Sequence, residues 1–165
     1  MFSPLFKANL RLTIFSIWKI PLIFFCKPKI LRQDDITTVV RITLRRRTKN
    51  HLNSMYFGVL AVGADITGAF TAFDKAEAMG KPVSLAFKDF HADYYMRAVG
   101  DVYFTCDDGK LIDEMLDETI ETGERVNKPV TVIAKCPDVS DDVVAKFVLT
   151  LSLKHKKKKL KASSI

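Results

Sequence analysis

Residues 54–79 read SMYFGVLAVGADITGAFTAFDKAEAM, and between Ser54 and Asp74 the only charged residue is Asp65. Small residues crowd this stretch: Gly58, Ala61, Gly63, Ala64, Gly68, Ala69 and Ala72. Asn53 or Ser54 supplies a cap and Gly80-Lys81-Pro82 a stop, so the pattern predicts one long helix. A helix apolar on every face is a buried one. Glycine costs a helix roughly 1 kcal/mol relative to alanine, so its repeated use predicts close approach by neighbouring elements. A sheet wrapped around the helix meets both requirements. A lone carboxylate inside such a helix is costly unless it is protonated, paired or used. Asp65 is therefore a candidate functional group, with a bond to backbone or to a partner helix as the structural alternative.

The flanking sequence supplies the sheet. In residues 36–47, Val40, Ile42 and Leu44 alternate with Arg41, Thr43 and Arg45, the period of a half-buried strand. Residues 83–95, 102–105, 130–135 and 145–154 are also strand-like, the last with Phe147, Leu149, Leu151 and Leu153 on one face. Residues 110–123 read either as a short helix or as a charged connection. Strand, long helix, then a run of strands is an α+β pattern: one antiparallel sheet curled around one helix.

With 165 residues, 48% apolar and 27% charged, the chain is long and apolar enough for one cored domain. Cys26, Cys106 and Cys136 and the three histidines are scattered, which excludes a disulfide framework and argues against a metal site. Such thiols suit a reducing compartment, and the expected location is the cytoplasm. The net charge of +7 is confined to the ends. Six basic residues lie in 1–32 and six in 154–165, neither with an acid; 33–153 keeps 14 of the 26 basic residues against all 19 acids (14 − 19 = −5). An acidic body with basic ends does not predict specific nucleic-acid recognition.

Residues 12–26, LTIFSIWKIPLIFFC, resemble a signal sequence behind Lys7 and Arg11. Lys19 and Pro21 interrupt the run, no small-x-small cleavage site follows, and a span needs about 20 apolar residues, so neither export nor a transmembrane segment is expected. The spacing instead predicts a helix over 4–18, with Leu5, Leu12, Phe15 and Trp18 on the domain and Pro21 as its end. A helix lying on anionic lipid through Lys7, Arg11 and Lys19 is the alternative. The expected organisation is an N-terminal helix and linker over 1–35, a core domain over 36–154, and a disordered basic tail over 155–165.

The run Asn50-His51-Leu52-Asn53-Ser54-Met55-Tyr56-Phe57-Gly58, continuing to Asp65, resembles the signature of hotdog-fold acyl-CoA thioesterases of the phenylacetate-pathway type. Asn50, Gly58 and Asp65 are in register, while Tyr56 replaces the family's His and Phe57 its first Gly. Tyr95-Met96-Arg97-Ala98-Val99-Gly100-Asp101 resembles a second family pattern, with Met for Leu and no Pro. With its apolar N-terminal helix and its Arg47-Thr48-Lys49-Asn50-His51 lead-in, the whole chain is most similar to a bacterial branch of that superfamily. The resemblance implies a hotdog fold, an antiparallel sheet around one central helix with an extra N-terminal helix, and hydrolysis of an acyl-CoA or other acyl thioester. Coenzyme A would then be part of the substrate, with no cofactor and no metal. It implies Asp65 as base, the Phe57 and Gly58 amides as oxyanion site, Tyr56 as a hydroxyl donor, and Asn50 as the group orienting water or carbonyl. Ser84 would position the water, and Arg97 would meet the coenzyme A moiety. Ser84 also reads as an ordinary strand residue and Arg97 as surface charge, as do Lys88 and Arg125. A non-catalytic module that holds an acyl thioester is the alternative function. An acyl ligand would also give the apolar N-terminal segment a site to cover. Uncovered sheet edges predict a homodimer at least, each site completed by the neighbour; pairing of dimers into tetramers is left open.

Overall fold

The computed structural model describes residues 3–156. Helix α1 spans Pro4–Lys19, its Ser3 hydroxyl accepting the Phe6 N–H and Pro4 occupying the first turn. Pro21 ends α1 as expected and also opens a second short helix, α2 (Pro21–Cys26), because proline suits a first helical turn. Then follow β1 (Lys29–Gln33), β2 (Thr38–Ile42), the long helix α3 (Phe57–Ala78), β3 (Val83–Tyr94), β4 (Val102–Cys106), α4 (Gly109–Thr122), β5 (Arg125–Cys136) and β6 (Ser140–His155). The six strands form one antiparallel sheet in the order β1-β2-β4-β5-β6-β3.

Helix α3 lies against the sheet through its small residues. A methyl group at Gly63 would run into the fully buried ring of Phe104, and one at Gly68 would stand 3.3 Å from Val130 Cγ2. These glycines let the sheet close on the helix. The opposite side of α3 is also covered: Ile66 and Phe70 form a second core with Ala8 and Leu12 of α1, Ile23 of α2, Ile30 and Val40. Burying Leu12 or Ile23 completely is worth about 1.5–3 kcal/mol each. A polar clamp fixes α1 on α3. Arg11 donates through Nε and Nη2 to both carboxylate oxygens of the buried Asp74, and Gln33 Nε2 donates to Asp74 Oδ2 at 3.1 Å.

Four expectations need adjustment. The stretch read as helix and linker holds α2 and the edge strand β1. Trp18 is 80% exposed, because the stripe of α1 that faces α3 runs through Ala8, Leu12, Phe15 and Ser16 and turns past Trp18. The strand expected over 36–47 stops at Ile42: Thr48 Oγ1 accepts the Arg45 N–H and donates to the Thr43 carbonyl, turning the chain where three arginines face water. The 110–123 segment is a helix, with Ile112, Met115 and Leu116 buried. The basic tail, apart from His155 closing β6 and Lys156, lies outside the described residues.

Candidate active site

The two motif segments meet at the start of α3. Met55 N–H donates to the Ala98 carbonyl at 2.7 Å, joining the loop after β3 to the entry of the helix, and Tyr56 N–H donates to Thr48 O at 2.9 Å. Asn50 shapes this entry. Its Oδ1 accepts from Leu52 N (2.9 Å), Ser54 N (3.3 Å) and Ser54 Oγ (3.3 Å), and its own N–H donates to Ser54 O (2.8 Å). The carboxamide oxygen thus holds the loop closed.

Tyr56 caps α3 in an extended conformation (φ −65°, ψ 136°), and its carbonyl accepts from Val59 N and Leu60 N. Among the described residues, the Phe57 and Gly58 N–H groups find no acceptor. The first amides of a helix carry partial positive charge, so these two form a donor pair aimed outward from the helix end. The Tyr56 and Phe57 rings are half exposed, with centroids 4.7 Å apart. A side chain at position 58 would meet Tyr56 Cε1 at 2.7 Å, so Gly58 is what lets the tyrosine ring lie over the first turn.

Asp65 lies eight residues beyond Phe57, about 12 Å along the helix axis. It makes no hydrogen bond or ion pair among the described residues. Burial alone pushes its carboxyl from the usual 3.8 up to about 6. It lines a cavity of about 390 Å³ with Phe15 of α1, Ile20 and Ile23 of α2's start, Phe70 and Phe73 of α3, and Val83 and Leu85 of β3. Lys19 and Lys156 contribute the cavity's cationic side chains. The apolar N-terminal segment therefore forms one wall of the Asp65 cavity. A covering role for this segment is expected if the domain binds an acyl ligand, but the sequence does not single out the residues that do the covering.

Ser84 lies outside this group. It pairs with Lys154 in the sheet, and strand alternation sends it to the face opposite Val83 and Leu85. The β3 positions that face Asp65 are therefore apolar. Arg97 stands exposed on the loop whose Ala98 carbonyl holds Met55. Among the described residues, no three His, Cys, Asp or Glu side chains gather as metal ligands. Helix α3 is long and apolar enough to cross a membrane, yet it is buried in the core.

No family model matches the chain, and no curated protein matches it. Solved structures do. A Shewanella oneidensis protein provisionally described as a thioesterase superposes with a TM-score of 0.74 at 17% identity, over 90% of this chain and 97% of that one. A Pseudomonas aeruginosa protein of unknown function, also provisionally described as a thioesterase, gives 0.72 at 20% identity over 94% and 99%. A Haemophilus influenzae thioesterase gives 0.65 at 11% identity over 94% and 93%. At these identities the likeness shows the fold, and the fold is the hotdog fold of thioesterase-superfamily proteins.

Proposed function

We propose that the protein hydrolyses acyl thioesters such as acyl-CoA, with Asp65 as general base and the α3 N-terminal amides of a second copy as the oxyanion site. The observation that carries this reading is Asp65 itself. A carboxylate without a partner among the described residues, desolvated beside a mostly apolar cavity and shifted to about 6, is ionised at neutral pH and a stronger base than in water. It would take a proton from water as the water oxygen attacks the thioester carbon. The Phe57 and Gly58 N–H groups would hold the oxyanion, and its collapse would expel the thiolate, which takes the proton from Asp65. The products are a thiol and a carboxylic acid, which releases its proton to water.

The second copy follows from distance. Along α3, Asp65 lies about 12 Å from the Phe57 amide and about 10.5 Å from the Gly58 amide of the same chain, and the amides point away from Asp65. A base, one water and one carbonyl span less than that, roughly 7–10 Å in a bent attack geometry. Among the described residues the long edge strand β3 pairs only with β6, which leaves its outer edge for the same strand of a second chain. Three free, buried thiols fit work in the cytoplasm.

The alternative, a module that binds acyl thioesters without cleaving them, draws on two observations: the Tyr56 and Phe57 rings beside the amides, and the apolar Val83 and Leu85 facing Asp65. Acyl-CoA substrates of graded chain length, run on the parent and on Asp65→Asn, separate the two. Hydrolysis by the parent that falls at least ~100-fold in Asp65→Asn is the expected result. Acyl-CoA binding without turnover by the parent selects the module.

A further inference from the structure

A second concave site lies beyond α2, and its chemistry is unlike that of the Asp65 cavity. A cleft of about 150 Å³ is lined by Lys27, Lys29, Arg41, Arg45 and Arg47, with Thr48 beside them and no carboxylate. Five cations around one small cleft repel one another unless something neutralises them. Two are forced together by the sheet itself: Lys29 on β1 stands directly opposite Arg41 on β2, a like-charge pairing that costs stability. The nearest carboxylate oxygen to Arg41 is Asp101 Oδ2, 3.9 Å from Nε and beyond hydrogen-bond reach. That Nε is sealed from solvent and donates to nothing, so Asp101 leaves the Arg41 charge only partly answered. Arg47 is held in place, its guanidinium 5.3 Å from the Phe25 ring centroid and its Nη1 donating to the Phe25 carbonyl at 3.4 Å. An oxyanion with several acceptor oxygens would offset the charge gathered around the cleft, and guanidinium groups match a phosphate in charge and geometry.

We propose that this cleft is a phosphate-binding site, and that the phosphate it takes is on the nucleotide end of the thioester carrier. The identity of the carrier rests on the thioesterase reading; the phosphate site does not. Placement links the two. Ile20 and Ile23 wall the Asp65 cavity at one end of α2, and Cys26 and Lys27 wall the cleft at the other, about 9 Å away along the helix. One molecule with an acyl thioester at one end and a phosphate at the other would have a cavity for each.

The test is calorimetric titration, at low salt, of the full chain with adenosine 3′,5′-bisphosphate, with inorganic phosphate, and with phosphatidylglycerol vesicles as the lipid-headgroup arm. The parent is expected to bind the bisphosphate saturably and more tightly than inorganic phosphate. Lys29→Gln/Arg41→Gln should weaken that binding at least ~10-fold, as loss of charge-assisted hydrogen bonds requires. Arg45→Gln, on the loop after β2 and outside any helix or strand, should weaken it to a smaller degree. The charge-matched Lys81→Gln/Lys110→Gln, both exposed and away from the cleft, should bind like the parent. Equal affinity across all four proteins, no saturable binding by the parent, or binding to vesicles alone would overturn the proposal. Asp65→Asn should bind the bisphosphate normally, so a failure of hydrolysis and a failure of this site read out separately.

Discussion

Asp65 sits where a helix has no reason to carry charge, and its titration links stability to pH. Its folded-state carboxyl, at about 6, lies above the unfolded value of 3.8, so the fold favours the protonated form. Stability from this group is greatest below pH 4, declines as pH rises from 4 to 6, and is flat above. Asp65→Asn removes that loss. At pH 7 it should raise stability by an amount on the order of 1–3 kcal/mol, and the difference should vanish below pH 4. Thermal melts of both proteins across pH 3–8 check this; a variant less stable than the parent at pH 7 would show that Asp65 has a stabilising partner. The same group predicts kcat/KM rising with pH through about 6 to a plateau. Asp65 is legible in the sequence because it is the single charge in a twenty-residue apolar stretch. Ser84 is not: its face depends on the parity of the turn after α3, and one residue more or less at Gly80-Lys81-Pro82 reverses it. Asn50 is found by spacing, but its work in holding the loop is visible only in the hydrogen bonds it makes to Leu52 and Ser54.

Helix α3 is legible as a buried element because nothing else explains its composition, and Gly63 and Gly68 mark where the sheet crosses it. The two positions should respond differently. Gly63→Ala drives a methyl into Phe104 and should cost about 1–3 kcal/mol by overpacking, only partly offset by helix propensity. Gly68→Ala puts a methyl 3.3 Å from Val130 Cγ2, a tight contact that a shift of a few tenths of an ångström relieves, and should cost less than Gly63→Ala. Equal melting temperatures for the two variants would mean that the sheet does not close on α3 at Gly63. The clamp from α1 carries a second expectation. Arg11→Ala leaves Asp74 buried with Gln33 as its remaining side-chain donor, and should cost about 2–4 kcal/mol. The same change should loosen the α1 wall of the Asp65 cavity, so proteolysis near residues 15–25 should quicken. The elements from 21 to 33 are not legible. Proline reads as a stop and equally as a first turn, and the five residues of β1 are too few to show a period.

At the scale of the molecule, one sheet wraps one helix, α1 and α2 close the other side, and the outer edge of the long strand β3 has no partner strand among the described residues. Its exposed Phe90 and Tyr94 are hydrophobic surface that a second β3 would cover. A homodimer is therefore expected at micromolar concentration, and light scattering that reports a monomer would contradict it. The central claim is that Asp65 of one chain works with the α3 amides of another, and mixing two inactive variants tests it most directly. Phe57→Pro deletes one oxyanion donor while suiting the first helical position and the extended Tyr56 before it. Asp65→Asn deletes the base. Unfolded and refolded together in equal amounts, they should form hybrid dimers in which one site keeps both groups, restoring about a quarter of the parent's hydrolysis. If the mixture is no more active than the separate variants while hybrid dimers are present, base and oxyanion site belong to the same chain, and a site shared between two chains is ruled out.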